Sequence, residues 1–452
     1  MKSKRLVKWI FLFVCCCSLS LIAKVQRVGF NLSSPEWGLS IKDGGALLPG
    51  TNGYQYRYPT FAEIDYFVSR GFNLLRIPCR LERLQHALNM PLDCVELSNL
   101  NAVVSHAVSK GMFVVVDVHN YGRIYPDQSN TDSVQSGPVG VIGNDVSISD
   151  FANFWFFLAA NFKNNAQVGI ELMNEPNAMD TDRWVSAANA AIAAIRQTGA
   201  TNLIVVPGNR YTGAWSWTNS NDTAFNVNLG RANSEAMLQI VDPGTNFVIT
   251  VHQYFDFDYS GTHADLFDSS VCVGTFTNVT AWARSHHLKL FLGEFAIANS
   301  LISTDPDAGT TLTNVLQFLD SNSDVWMGWC WWAGGQWWNG GPESANQSSE
   351  YMFLADPAHL GQSNQMEKPS VSVLRNFIPV PTPKIALVSN NQFQFPTSAG
   401  FEYKVQIASN LVSSNWTDYL TIFGSNNSPS VVTVTNQFGS QEYFRVQIQL
   451  AP

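Results

Sequence analysis

Two glutamates stand where this sequence could do chemistry. The stretch "GIELMNEPNAM" (169 to 179) carries an apolar run into Asn174, Glu175 and Pro176, and "LFLGEFA" (290 to 296) sets Glu294 inside another. Taken alone, Asn174-Glu175-Pro176 reads as a helix start, since Asn caps a helix and Pro suits its first turn. Comparable apolar runs carry Arg76, His119, His252, Tyr254 and Trp332. Singly, each has an ordinary explanation as a satisfied structural group or a surface ion pair. Brought to one rim, they would surround two carboxylates suited to glycosidic bond cleavage, one protonating the leaving oxygen and the other attacking the anomeric carbon. A retaining reaction needs the pair about 5 Å apart, with different protonation states at rest. In that arrangement Tyr254 could donate to the nucleophile, His252 could sit near the acid, Asn174 could hold a sugar 2-hydroxyl, and Trp332 could offer a face to a pyranose ring.

The elements that must position them alternate along the chain. Eight short apolar runs, "RVGFNLS" (27 to 33), "NLLRIPC" (73 to 79), "FVVVDVHN" (113 to 120), "VGIELMNEP" (168 to 176), "LIVVPGN" (203 to 209), "FVITVHQYFD" (247 to 256), "LFLGEFA" and "VWMGWCWWAG" (325 to 334), read as strands. Helices are expected over 61 to 70, 98 to 110, 150 to 163, 181 to 198, 275 to 287 and 309 to 321, three of them closed by Gly71, Gly111 and Gly199 as left-handed caps. Nearly continuous apolar strands separated by helices predict a parallel sheet covered by helices. Eight such units predict an α/β fold of the (β/α)8 TIM-barrel type, with its chemistry at the carboxyl ends of the strands. Glu175 then ends the fourth strand and Glu294 lies on the seventh.

Charged residues are 13% of the chain and aromatics 12%, with 14 tryptophans, a surface suited to neutral polar ligands rather than polyanions. With a net charge of -9 and no basic stripe, nucleic acid is not expected as a partner. At the start, Lys2, Lys4, Arg5 and Lys8 precede an apolar run and small residues near Ser18 to Ala23, as in a secretory signal. The run from Trp9 to Ala23 is short for a membrane span of about 20 residues. Residues 1–23 are therefore read as a signal peptide, giving an exported, secreted chain with no membrane contact after cleavage, in preference to an uncleaved anchor or a lipoprotein at Cys15. Removing four basic and no acidic residues leaves 22 against 35, a mature charge of -13. Cys79, Cys94, Cys272 and Cys330 remain; their pairing is open, and they are read as structural or buried. No metal-ligand spacing appears, so neither metal nor cofactor is expected.

From about Val25 to Phe377 the chain resembles glycoside hydrolase family 5, most closely its fungal-type endoglucanase branch. The resemblance rests on "GFNLSSPEWG", "LLRIPCRLERLQ", "VVDVHNYGR", "MNEPN", "VHQYFDFDYSGTHA", "LGEF" and "GWCWWAGG", in that branch's order and spacing. It implies Glu175 as acid/base and Glu294 as nucleophile. It also implies a surrounding, substrate-binding set of Arg76, His119, Asn174, His252, Tyr254 and Trp332, with which Asn120 is grouped as a further substrate-binding candidate. Leu81 departs from the branch, which usually has an aromatic there, so one stacking platform is in question. "GAWSWTNS" (213 to 220) and "GGQWWNG" (334 to 340) place Trp215, Trp217, Trp337 and Trp338 on rim loops. Trp217 and Trp337 are taken as further sugar platforms, against packing around the barrel mouth.

The catalytic domain is expected over 24–378, a proline-marked linker over 379–384, and a small antiparallel β-module over 385–452. "FEYKVQIA" and "EYFRVQIQ" alternate there as half-buried strands do. Trp416, Tyr419 and Phe423 read either as a carbohydrate strip or as core, and core is the expectation. A barrel that folds without the module follows from that division. The expected activity is that of a monomeric, retaining endo-β-1,4-glucanase acting on cellulose or a related β-glucan. Mannan, xyloglucan or mixed-linkage glucan are the alternative substrates, and a glycan-binding surface protein is the non-enzymatic alternative.

Overall fold

A computed structural model describes residues 24–37, 48–124, 140–219, 229–335, 352–382, 384–389, 392–408, 415–425, 429–433 and 443–451. Residues 1–23, read above as a signal peptide, and Trp337 and Trp338 lie outside the described residues.

Eight parallel strands close into a barrel in sequence order: β1 (Arg27–Leu32), β2 (Leu74–Cys79), β3 (Phe113–Val118), β4 (Val168–Glu171), β5 (Ile204–Pro207), β6 (Phe247–Tyr254), β7 (Leu290–Ala296) and β8 (Trp326–Gly334), with β8 returning to β1. The main covering helices are α1 (Phe61–Ser69), α2 (Cys94–Ser109), α3 (Ile148–Phe162), α4 (Thr181–Gln197), α5 (Ser269–Ser285) and α6 (Pro306–Ser321). Their starts are chemically marked. Thr60 and Glu63 form a reciprocal capping box on α1, Asp93, Ser147 and Asp180 cap α2, α3 and α4, and Asp305 precedes Pro306 on α6. Gly71, Gly111 and Gly199 have φ of 91°, 82° and 84°, the left-handed conformation that ends α1, α2 and α4.

Inside the barrel, strand periodicity builds layers. Leu74, Phe113, Val115, Val205, Val248, Phe291 and Cys330 pack as an apolar floor. Two residues further along, the same inward faces reach the cleft layer: Leu74 leads to Arg76, Val115 to Asp117 and Cys330 to Trp332. Asn31 on β1 lies opposite Arg76, and Asp117 opposite Glu171. The fourth strand is shorter than its apolar run, ending at Glu171. Asn174 and Glu175 therefore lie on the loop beyond it. That segment stays tied to its neighbours, since Leu172 N–H donates to Val205 O at 3.1 Å and Asn174 N–H to Val118 O at 2.7 Å.

Among the described residues, the C-terminal module forms two three-stranded antiparallel sheets. Strands β9 (Ala386–Ser389), β10 (Gln392–Pro396) and β13 (Pro429–Thr433) form one, with β10 central; β11 (Phe401–Ala408), β12 (Thr417–Phe423) and β14 (Tyr443–Leu450) form the other, with β11 central. Its core is Phe393, Phe395, Tyr403, Val405, Val432 and Phe444. The expected aromatics are only marginal to it. Tyr419 meets Phe444 edge-on, Trp416 lies under the Arg445 guanidinium, and Phe423 is 65% exposed.

The described residues of the linker, 379–382 and 384, are half-buried or exposed, but the segments on either side of it pack together. Ile378 is buried, Gly400 abuts Gly71 so closely that a Cβ on it would stand 2.4 Å from Gly71 N, and Arg375 donates to Ala451 O at 2.6 Å. The module thus docks at the amino-terminal end of β2, away from the catalytic rim. Barrel and module therefore touch on either side of the linker.

Candidate active site

Arg76 is the centre of the polar layer. It is the third residue of β2, below the rim position expected for a strand end, and it is fully buried. Its Nε donates to Glu171 Oε2 at 2.6 Å, its Nη1 to Glu294 Oε1 at 2.8 Å and Asn31 Oδ1 at 2.7 Å, and its Nη2 reaches Asn174 Oδ1 and Asp117 Oδ2, both at 3.0 Å. A guanidinium with every donor so engaged is an electrostatic anchor under the cleft rather than a substrate ligand.

Glu294 receives Arg76 on Oε1 and the Tyr254 hydroxyl on Oε2, at 2.8 Å each. His252, opposite Glu294 in the β6–β7 ladder, turns Nδ1 to Glu175 Oε1 at 2.8 Å and stands 3.5 Å from Glu294 Oε2. Glu175 has φ of 44°, a left-handed conformation costly for a side chain of this size and concentrated at functional sites. Its loop is buttressed by a second left-handed stretch after β5, Arg210 to Thr212, whose Tyr211 N–H donates to Pro176 O at 3.1 Å. A carboxylate oxygen of Glu175 and one of Glu294 fall within 4.8 Å of each other.

The two carboxyls differ in environment. Burial pushes Glu175 well above the usual carboxylate range, and the charge of Glu294 pushes it further. Burial raises Glu294 too, but Arg76 and the Tyr254 hydroxyl oppose it. Glu175 is thus the carboxyl that keeps a proton and Glu294 the one that gives it up. Burial lowers both His252 and His119 well below the usual histidine value, with Arg76 adding to the effect, so both imidazoles are neutral. His119 turns Nδ1 to Asp117 Oδ2 at 2.7 Å, and Trp332 stacks on it at 5.5 Å between centroids, 18° from parallel. The Nδ2 of Asn174 is buried with no partner among the described residues.

Glu175, Glu294, Asn174, His252, Tyr254, His119 and Trp332 thus converge on one cleft. Asn120 does not join them: its Nδ2 donates to Glu82 and its Oδ1 accepts from Leu81 N–H, so its amide is spent on a loop. Trp217 is also a correction. It is fully buried against Trp282, with centroids 5.1 Å apart, and fills space behind the rim. Trp215, half-buried and stacked on Tyr259 at 5.3 Å, remains on the rim. The residues that sequence reasoning missed are Asn31, Asp117 and Glu171. Their signal was available, since "VVVDV" and "GIELM" each carry one acid through an otherwise apolar strand.

Two described clusters have ligand-type atoms close enough for a metal, Glu175–His252–Glu294 and Asp256–Asp258–His263. In the first, Arg76 already supplies the positive charge. In the second, Asp256 accepts from the backbone amides of Gly261, Thr262 and His263. The described cysteines are unpaired, with Cys79, Cys272 and Cys330 buried and Cys94 exposed.

Residues 41–335 match the model of the cellulase family, glycosyl hydrolase family 5. The chain is 34% identical over 311 residues to endoglucanase gh5-1 of Neurospora crassa, covering 68% of this chain and 69% of the relative. It is 32% identical to endo-beta-1,4-glucanase A of Emericella nidulans, covering 69% and 86%. Among solved structures it superposes on the endo-beta-1,4-glucanase Xac0029 of Xanthomonas axonopodis pv. citri with a TM-score of 0.66 at 36% identity, over 78% of this chain and 98% of that one. A structure of XacCel5A in complex with cellopentaose superposes with a TM-score of 0.65 at 34% identity, over 79% and 99%.

Proposed function

Since the chain belongs to glycosyl hydrolase family 5 and is a glycoside hydrolase of cellulase type, we propose that it is a secreted endo-β-1,4-glucanase that cleaves cellulose or a related β-glucan with retention, through Glu175 and Glu294. The observation that carries this reading is the close approach of the two carboxyls, within 4.8 Å between oxygens. Retaining pairs stand about 5 Å apart, whereas inverting pairs leave roughly 6.5–9.5 Å for a water molecule.

In the first step Glu175, held protonated by burial, gives its proton to the glycosidic oxygen as Glu294 attacks the anomeric carbon. The Tyr254 hydroxyl and Arg76 fix the Glu294 oxygens so that one lone pair faces the sugar. In the second step Glu175, now ionised, takes a proton from water, which attacks the glycosyl-enzyme and frees Glu294. Neutral His252 sits against Glu175 and accommodates both of its protonation states. Asn174 Nδ2 is placed to donate to the sugar 2-hydroxyl, and Trp332 gives the ring an apolar face. Export follows from the leader sequence. Among the described residues no helix is long and apolar enough to cross a membrane. A monomer acting without a cofactor is part of the proposal.

The test is azide rescue with an activated aryl β-cellobioside. Glu294→Ala should give the α-glycosyl azide, with inversion, and Glu175→Ala the β-glycosyl azide, with retention. The opposite stereochemistry would exchange the roles. A panel of carboxymethylcellulose, glucomannan, xyloglucan and barley glucan decides the substrate; preference for glucomannan or xyloglucan would replace cellulose while leaving the mechanism in place.

A further inference from the structure

Beneath the catalytic pair, one cation serves three carboxylates. Arg76 holds Glu171 at 2.6 Å, Asp117 at 3.0 Å and Glu294 at 2.8 Å, and Arg76, Asp117 and Glu171 have no exposed surface. Asp117 and Glu171 are direct partners in the β3–β4 ladder. Their side chains leave adjacent strands, about 4.8 Å apart, on the same inward face. Each gives one oxygen to Arg76, and each leaves its other oxygen, Asp117 Oδ1 and Glu171 Oε1, buried with no hydrogen-bond partner among the described residues. Two carboxylates gathered on one guanidinium in a dry interior repel each other, and each bears the cost of a buried oxygen left without a donor. One proton relieves both: bound to one carboxyl, it donates to the other.

We propose that Asp117 and Glu171 share a proton between Oδ1 and Oε1, and that this pair is a positioning unit setting how much negative charge stands beneath Glu175 and Glu294. With the proton in place the pair carries one negative charge; when it leaves, a second appears under the cleft. The surrounding titratable and charged groups are Arg76, Cys79, Arg80, His119, Glu36, Glu175, Glu294 and Cys330. Burial pushes both Asp117 and Glu171 up to about 7, with Arg76 opposing, so the proton leaves around neutral pH. Both carboxylates raise Glu175, so the new charge keeps the proton of Glu175 in place to higher pH.

Glu171→Gln tests this, because its amide copies the protonated carboxyl: the oxygen accepts from Arg76 Nε and the NH2 donates to Asp117. The variant should unfold at the wild-type temperature at pH 5 and above it at pH 8. In the infrared at pH 5 it should lose the intensity of one protonated carboxyl. The alkaline limb of its kcat/KM profile should move down by about 0.5 to 1 pH unit, since the second charge can no longer form. Asp117→Asn should also unfold at the wild-type temperature at pH 5. An unchanged infrared spectrum, an unmoved limb, or loss of more than about 5 °C of Tm at pH 5 in both variants would overturn the proposal. Failure of both to fold at pH 5 would do the same, because an amide there is the closest copy of a protonated carboxyl. Only the kinetic readout rests on the glucanase reading. If the wild type hydrolyses no β-glycan, that reading fails, while Tm and infrared still decide the shared proton.

Discussion

The Tyr254 hydroxyl donates to Glu294 Oε2 at 2.8 Å while Arg76 holds Oε1, so the attacking carboxylate is fixed at both ends. Removing the hydroxyl leaves the ring in place and withdraws one interaction that lowers the Glu294 pKa. Tyr254→Phe should therefore keep the wild-type Tm, lower kcat by about 10- to 100-fold, equivalent to roughly 1.4–2.7 kcal/mol, and move the acid limb of kcat/KM to higher pH. A pH profile across the acid range checks the direction; an unmoved limb would mean that the hydroxyl does not tune Glu294.

Glu175→Gln and Glu294→Gln remove chemistry without removing packing. The first should cost about 10²–10⁴-fold in kcat on soluble β-glucan, the range for a general acid. The second should fall to background. Reducing-sugar assays on purified variants with wild-type melting curves provide the check, and substantial activity in either would sink the assignment.

Arg76→Met should act on stability first. It leaves Asp117, Glu171 and Glu294 buried without their common cation, and breaking a buried ion pair from one side costs about 3–5 kcal/mol. The loss should be larger at pH 8 than at pH 5, where protonation relieves the stranded carboxylates. Denaturant unfolding at the two pH values measures the difference.

Stability should fall as pH rises. Asp356 is fully buried, accepts from Gly335 N–H, and is pushed by burial from its ordinary 3.8 to about 8, with Glu63 adding to the shift. Burial likewise raises Glu36 to about 7. Above the unfolded-state value, the native chain binds a proton that the unfolded chain has released. Their contribution is therefore complete below the unfolded-state value and is lost as pH climbs through the folded one. Tm should be several degrees lower at pH 9 than at pH 5, and Asp356→Asn should recover part of the difference while changing little at pH 5.

Truncation after Phe377 should weaken the barrel. It removes buried Ile378, the Arg375 bond to Ala451, and the Gly400 turn and Leu450 side chain seated on Gly71. Hydrolysis of soluble substrate at low temperature should persist, because the cleft is at the opposite end, but Tm should drop. A melting curve of the truncated chain matching the full chain would show that the contact adds nothing.

What the amino-acid sequence determined by itself is what depends on local pattern. The order of strands and helices, the left-handed caps at Gly71, Gly111 and Gly199, and the presence of Glu175 and Glu294 near strand ends all follow from periodicity and residue type within a few positions. What only the tertiary structure decided is which side chains share an enclosed space. Arg76 looked like a rim ligand and proved to be a buried anchor, because strand register sets it one layer lower, among Asn31, Asp117 and Glu171. Trp217 looked like a sugar platform and proved to be packing, because α5 brings Trp282 against it. Asn120, next to His119 in sequence, turned its amide to Glu82 instead of the cleft. In each case the outcome depends on a partner distant in sequence, and on a dry interior whose low polarity raises one carboxyl more than another. Those energies arise only when the barrel closes and water leaves, and no stretch of ten residues contains them.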